Sequence, residues 1–235
     1  MRPPGFPPEP PETTWVLPDP AESGPDDVIA IGADLAPGTL LQAYRRGMFP
    51  MRLPGHQALA WWSPWERGIL PVDGMAISRS LARSTRRYET TVDRAFDRVI
   101  DACADPARPN GWIDADIRDA YVDLHRLGWA HSVETWTPDG ELVGGLYGVS
   151  VGALFAGESM FHRARDASKV ALVRLVDIMQ PVPNALIDVQ WVTDHLASLG
   201  AIAIARSRYL VRLEVAIEST PPKEFFHHSP SNAGG

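Results

Sequence analysis

Glu158, Asp188 and Gln190 stand in stretches that otherwise read as core, ALFAGESMF (153–161) and LIDVQWV (186–192). Asp188 and Gln190 are two apart in a pattern that reads as a strand, so they share one side of a sheet flanked by Leu186, Ile187 and Val189. A carboxylate on such a face is costly unless something compensates it. Two readings fit. One is a buried Asp that caps the next helix or pairs with an arginine. The other is an acid that accepts a hydrogen bond from an attacking amine while Gln190 orients one of the two, which is the positional and general-base chemistry of acyl transfer. Glu158 follows Gly157 in an apolar strand and reads either as facing a cleft or as lying on an exposed edge. The Met and aromatic residues around it read as plain core as readily as a pocket.

The elements that must position these residues follow from apolar periodicity. Val28–Leu35 reads as a short strand, and Pro37 opens a helix at about Gly38–Arg46 that Gly47 closes. Pro64 limits strand continuation after Trp61-Trp62. Helices are expected over Ser78–Arg87, Val92–Ala104 and Asp114–Leu127, the last two with one apolar face each. The pattern then changes to three strands, His131–Thr137, Leu142–Ser150 and Ala153–Phe161, joined by Thr137-Pro138-Asp139-Gly140 and by Ser150-Val151-Gly152. Ser168 is expected to cap a helix running through Met179. Leu186–Trp191 reads as a strand, Thr193–Leu199 as a short helix and Ala201–Ile204 as a final strand. The order predicts an α+β protein: a Pro-rich disordered arm over 1–14, a small N-terminal α/β domain over 15–75, a sheet domain over 76–217 and a disordered tail over 218–235.

Composition narrows the function classes. The chain of 235 residues has a net charge of −7, of which residues 1–34, with one base and seven acids, carry −6. The body is therefore nearly neutral, and its arginine clusters at Arg45-Arg46 and at Arg79, Arg83, Arg86 and Arg87 read either as a solvated face or as contacts to a few phosphates. The single cysteine, Cys103, excludes an internal disulfide, and the seven histidines show no metal-ligand spacing, so no metal is expected. No apolar run approaches the ~20 residues that span a bilayer, and no signal peptide is visible, so a cytoplasmic protein is expected. The strand-to-helix turn His162-Arg163-Ala164-Arg165-Asp166-Ala167-Ser168 holds no glycine, whereas acyl-CoA-dependent N-acetyltransferases cradle a pyrophosphate on a Gly-rich turn there. A CoA donor is not expected.

ADLAPGTLLQAYRRGMFP (33–50), WWSP (61–64), GWI (111–113), AYVDLHRLGWAHSVE (120–134), ELVGGLYGVSVGALFAGESMFHRARDASK (141–169) and LIDVQWVTDHLASLGA (186–201) together resemble the bacterial leucyl/phenylalanyl-tRNA–protein transferases. The resemblance spans roughly residues 15–215. It implies an N-acetyltransferase-like (GNAT) fold for the sheet domain and transfer of Leu or Phe from aminoacyl-tRNA to proteins with N-terminal Arg or Lys, marking them for degradation. It further implies no cofactor, a monomer, Asp188 and Gln190 as the catalytic pair with Glu158 beside them, and a donor pocket of Leu146, Phe155, Met160, Leu172, Leu175, Met179 and Ile187. Trp112 would stack on the terminal adenosine, and Arg79, Arg83, Arg86 and Arg87 would contact the acceptor stem. Met51 replaces the family's common Trp, and Leu146, Leu175 and Met179 replace Met or Phe, which points toward Leu or Met over Phe as donors. A non-catalytic module of the same fold, binding tRNA or protein N-termini, is the alternative.

Overall fold

A computed structural model describes residues 6–53, 55–108 and 111–226. β1 (Val28–Ile31) is followed by α1 (Pro37–Arg45), which opens on Pro37, where the missing N–H has no helical partner to lose, and closes at Gly47 with φ +77°. β2 (Phe49–Arg52) and β3 (Leu59–Trp62) complete a small antiparallel sheet in the order β1–β3–β2. β3 stops short of Pro64, which cannot donate to a ladder.

Next come β4 (Glu66–Leu70), α2 (Arg79–Thr85), β5 (Glu89–Val92), α3 (Phe96–Cys103) and α4 (Ala115–Arg126). Ser78 and Asp114 cap α2 and α4 by accepting from the N–H groups of Leu81 and Ile117. β6 (Ala130–Trp136), β7 (Leu142–Val151) and β8 (Leu154–His162) form the expected meander, and α5 (Ala167–Met179) leads to β9 (Leu186–Gln190). α6 (Asp194–Ala197), β10 (Ile202–Ala205) and α7 (Arg206–Glu218) end the regular structure.

The large sheet runs β10–β4–β9–β8–β7–β6–β5, with β8 and β9 parallel and its other neighbours antiparallel. An antiparallel meander, a crossover helix and a parallel strand beside the last meander strand make up the N-acetyltransferase-like sheet that was expected. α5 packs on one face; α1, α3, α4 and α7 cover the other, so both faces are buried. That is why β6 and β7 are buried at every position and show no alternation.

Several expectations change. β4 lies on the N-terminal side of the expected boundary at 75, yet pairs with β9 inside the large sheet. β2, β4, β5 and α7 were not foreseen, and the predicted helix 92–104 starts only at Phe96, with Val92 ending β5. α5 begins after Asp166, in the left-handed region at φ +61°, and Ser168 lies buried inside the helix rather than capping it. Within the predicted disordered arm, residues 6–14 pack: the Trp129 indole donates to the Pro8 carbonyl over 3.1 Å, and Thr13 and Thr39 share a 2.7 Å hydrogen bond. Within the predicted tail, Phe225 is buried, stacked on His131 at 4.5 Å and on Phe155 at 5.5 Å. Docking there takes the large apolar ring out of water. Residues 1–5 of the arm and 227–235 of the tail lie outside the described residues.

Candidate active site

β8 and β9 pair from Leu154↔Leu186 to Ala156↔Asp188 and then part, although both continue. Each carries one extra residue at that point. On β8, Gly148↔Gly157 is followed by Tyr147↔Ser159, which leaves Glu158 as the bulge; on β9, Ile69↔Asp188 is followed by Gly68↔Gln190, which leaves Val189. A bulge bends its strand and re-aims side chains. Gly148 is required opposite the first one, because a Cβ there would lie 2.3 Å from the Ala156 carbonyl oxygen. Between the diverging strands opens a cavity of about 240 Å³, below the usual range for drug-sized ligands and of a size for a single amino-acid side chain. Six of the seven predicted pocket residues line it: Leu146, Phe155, Met160, Leu172, Leu175 and Ile187. Met179 does not; it is fully buried in the core behind them.

Glu158 and Gln190 line this cavity on its polar side together with Arg108, Ser159, Thr193 and His195. Glu158 Oε1 accepts from the Tyr44 hydroxyl at 2.7 Å and from Gln190 Nε2 at 3.1 Å, and Oε2 accepts from the Tyr121 hydroxyl at 3.0 Å. The two tyrosine hydroxyls also hydrogen-bond to each other. No cation meets the Glu158 carboxylate among the described residues. Burial raises its pKa to about 7 and the charge of Asp188 adds to this, against the lowering effect of the donors Tyr44, Tyr121 and Gln190. Burial beside the carboxylate likewise pushes both tyrosines well above the ordinary range.

Asp188 is differently placed. It is 0% exposed and accepts from Arg67 Nε at 2.9 Å, from Arg67 Nη2 at 2.6 Å and from the Tyr209 hydroxyl at 2.8 Å. Burial lowers the Arg67 pKa, but the adjoining Asp188 outweighs this and raises it, so the guanidinium stays protonated. Arg67 also donates to the Gly47 carbonyl at 3.0 Å and lies over the Phe49 and Tyr209 rings. The fourth hydrogen bond to Asp188 comes from the backbone N–H of Gln190, 2.9 Å from Oδ1. Gln190 has φ +64°, a strained conformation for a residue with a side chain, and this bond holds it there. Asp188 thus satisfies the arginine-paired reading, and its link to the cavity runs through Gln190.

The other predicted residues sit apart from this cluster. Arg79, Arg83, Arg86 and Arg87 are exposed on and just after α2, and none meets an acid within ion-pair distance among the described residues. α2 packs on α5 through Leu81, and Ser84 donates to Asp166 at the start of α5 over 2.9 Å. Trp112 is half-buried and, with Met51, lines a second cavity of about 500 Å³. Arg45 and Arg46 are spent elsewhere, on Glu9 and on the Leu17 carbonyl.

Tyr44, Tyr121, Tyr209 and Arg67 are members of the network that residue patterns did not single out. Tyr44 and Tyr121 fall at helical spacing and read as core. Arg67, in WERGIL, carried one signal: a charge within an otherwise apolar strand.

A sheet that parts over an apolar cavity, with a buried carboxylate and a carboxamide at its wall, is the site of an acyltransferase. Family models extend this: residues 69–214 match leucyl/phenylalanyl-tRNA protein transferase and residues 33–64 match the N-terminal domain of the same protein. A leucyl/phenylalanyl-tRNA–protein transferase of Aromatoleum aromaticum is 51% identical over 193 residues, covering 80% of this chain and 81% of the relative. One from Anaeromyxobacter sp. (strain K) is 48% identical over 207 residues, covering 86% and 88%. One from Pseudoalteromonas atlantica is 46% identical over 208 residues, with the same coverages. The chain belongs to the leucyl/phenylalanyl-tRNA–protein transferase family and is an aminoacyltransferase.

Proposed function

We propose that this enzyme moves Leu, and also Phe and Met, from aminoacyl-tRNA to the α-amino group of proteins that begin with Arg or Lys, marking them for degradation in the cytoplasm. The observation that carries the reading is the 240 Å³ cavity, lined largely by apolar side chains, whose polar side includes Glu158 and Gln190. A Leu or Phe side chain gains about 1.5–3 kcal/mol on full burial, and such a cavity would hold the ester carbonyl next to the polar wall. Gln190 orients the reactants, Asp188 positions Gln190, and the enzyme works as a monomer with no metal or organic cofactor. Trp112 stacks on the terminal adenosine. The test is transfer of radiolabelled leucine from Leu-tRNA to a protein with N-terminal Arg, beside the same protein with N-terminal Gly. No transfer by the folded chain, or equal transfer to both, would sink the proposal.

Two further results are expected. Leu146 and Leu175 are aliphatic and Met179 backs the pocket, so Leu and Met should be transferred faster than Phe. Because an apolar pocket resolves a methylene by only about 10–200-fold, the preference is graded rather than absolute. Competition between the three charged tRNAs measures it, and equal rates would contradict it. Separately, replacing Arg79, Arg83, Arg86 and Arg87 by Ala should weaken tRNA binding and flatten its dependence on salt. Each phosphate contact removed should lower the log–log slope by about 0.7–0.9. A slope unchanged within error would assign the four arginines to a solvated face.

A further inference from the structure

Protons can be counted around Glu158. Three links join Tyr44, Tyr121 and the carboxylate: Tyr44 to Oε1, Tyr121 to Oε2, and tyrosine to tyrosine. With Glu158 ionised, two hydroxyl protons must serve three links, and one link holds no proton. With Glu158 protonated there are three: Oε2–H donates to Tyr121, Tyr121 to Tyr44, and Tyr44 to Oε1. Gln190 Nε2 still donates to Oε1, so every donor has an acceptor. Burial and the Asp188 charge favour the protonated carboxyl, and in that form the buried ring closes with no link left unmade. Oε1 already accepts two bonds and Oε2 only one, so Oε2 keeps a lone pair on a residue that lines the cavity. Asp188 has no such freedom, since Arg67, Tyr209 and the Gln190 N–H occupy its oxygens.

We propose that the Glu158 carboxylate takes the proton released by the attacking amine, and that Tyr44 and Tyr121 are its positioning residues, storing that proton in a closed ring of three hydrogen bonds. This rests on the acyl-transfer reading above. In the step, the amine nitrogen bonds to the ester carbonyl carbon and gives a proton to Glu158 Oε2, keeping the N–H electron pair. The bond between that carbon and the donor's ester oxygen breaks, and the oxygen leaves with the electron pair. It then takes the proton from Glu158, which regenerates the carboxylate. One proton passes from nitrogen to oxygen, and no further reactant is consumed. A carboxyl that titrates at about 7 suits both halves of the exchange, since it neither holds nor refuses a proton strongly near neutrality.

His195 of α6 shares the cavity lining with Glu158, and further titratable and charged groups lie around the carboxylate. They are Tyr44 of α1, Tyr121 of α4, Tyr147 of β7 and Asp188 of β9, with Arg67 of β4 beyond Asp188 and Cys103 of α3 and Arg108 beyond Tyr147.

The test is single-turnover transfer from Leu-tRNA to one N-terminal-Arg protein across pH 5.5–9, with the full-length chain. Glu158→Gln should slow transfer about 100-fold or more with tRNA binding unchanged. Tyr121→Phe and Tyr44→Phe each remove a donor to the charged form, so both should move the enzyme's rising limb to higher pH. The acceptor amine, with a pKa of about 7.7–8.0, contributes a limb common to all variants, so the difference between variants reports Glu158. If Glu158→Gln fails to fold, the two tyrosine variants decide. A Glu158→Gln rate within about threefold of wild type, far short of what a proton acceptor supplies, would overturn the inference. So would tyrosine variants whose limb stays in place. Absence of transfer by the wild-type chain would overturn the acyl-transfer reading itself.

Discussion

Arg67→Met should lower the folding free energy by about 3–5 kcal/mol, because it leaves Asp188 as an uncompensated charge in the interior. Asp188 and Arg67 are 0% and 1% exposed at the side chain and cannot turn to water. A domain has only about 5–15 kcal/mol in hand, so the variant should unfold at much lower urea, and transfer should be lost with the placement of Gln190. Arg67→Lys keeps the charge but not the two parallel bonds from Nε and Nη2, so it should fall between. The double variant Arg67→Met with Asp188→Leu should recover most of the stability and none of the transfer, because no charge is stranded but Gln190 has lost its anchor. Urea titrations of the four proteins measure this. An Arg67→Met midpoint close to wild type would show that the pair contributes little.

Glu158 supplies the second large effect, with the sign fixed by its buried pKa. Its folded value is about 7 against an ordinary 4.5, so the folded state holds the proton more tightly than the unfolded chain. The resulting stabilisation is fully present below about pH 4.5 and is lost as pH rises through 7. Glu158→Gln cannot titrate. The stability of wild type relative to this variant should therefore fall by about 3 kcal/mol between pH 4.5 and pH 8, the free-energy equivalent of such a displacement. Comparing the two proteins at each pH cancels every other titrating group. A difference that does not vary with pH would mean that Glu158 titrates as an exposed carboxylate does.

How far the sequence could be read depended on whether a signal was local. Glu158, Asp188 and Gln190 stood out because each is polar in an apolar frame, and the meander, α5 and β9 followed from period and length. The bulges at Glu158 and Val189 have no local signature, since they are defined by partners on other strands. Arg67 and Asp188 are 121 positions apart, and nothing near either residue names the other. Tyr44 and Tyr121 satisfy a helical apolar face so well that their hydroxyls gave no sign. α7 was legible in part: Tyr209, Leu213 and Ala216 are buried at helical spacing, but three arginines among its first seven residues obscured the stripe.

The strand β4 and the ring of Phe225 bear on how this enzyme can be divided and inherited. The family's catalytic segment begins at residue 69, two residues after Arg67, and ends at 214, before Phe225, while Tyr44 belongs to the other matched segment. Glu158 and Asp188 would therefore travel within that segment without the ring hydroxyl of Tyr44, without the Arg67 counter-ion and without the ring stacked against Phe155. A recombination event that exchanged the sheet alone would pass on the acids and leave their partners behind. Both matched segments, the residues between them and Phe225 thus share one network of contacts.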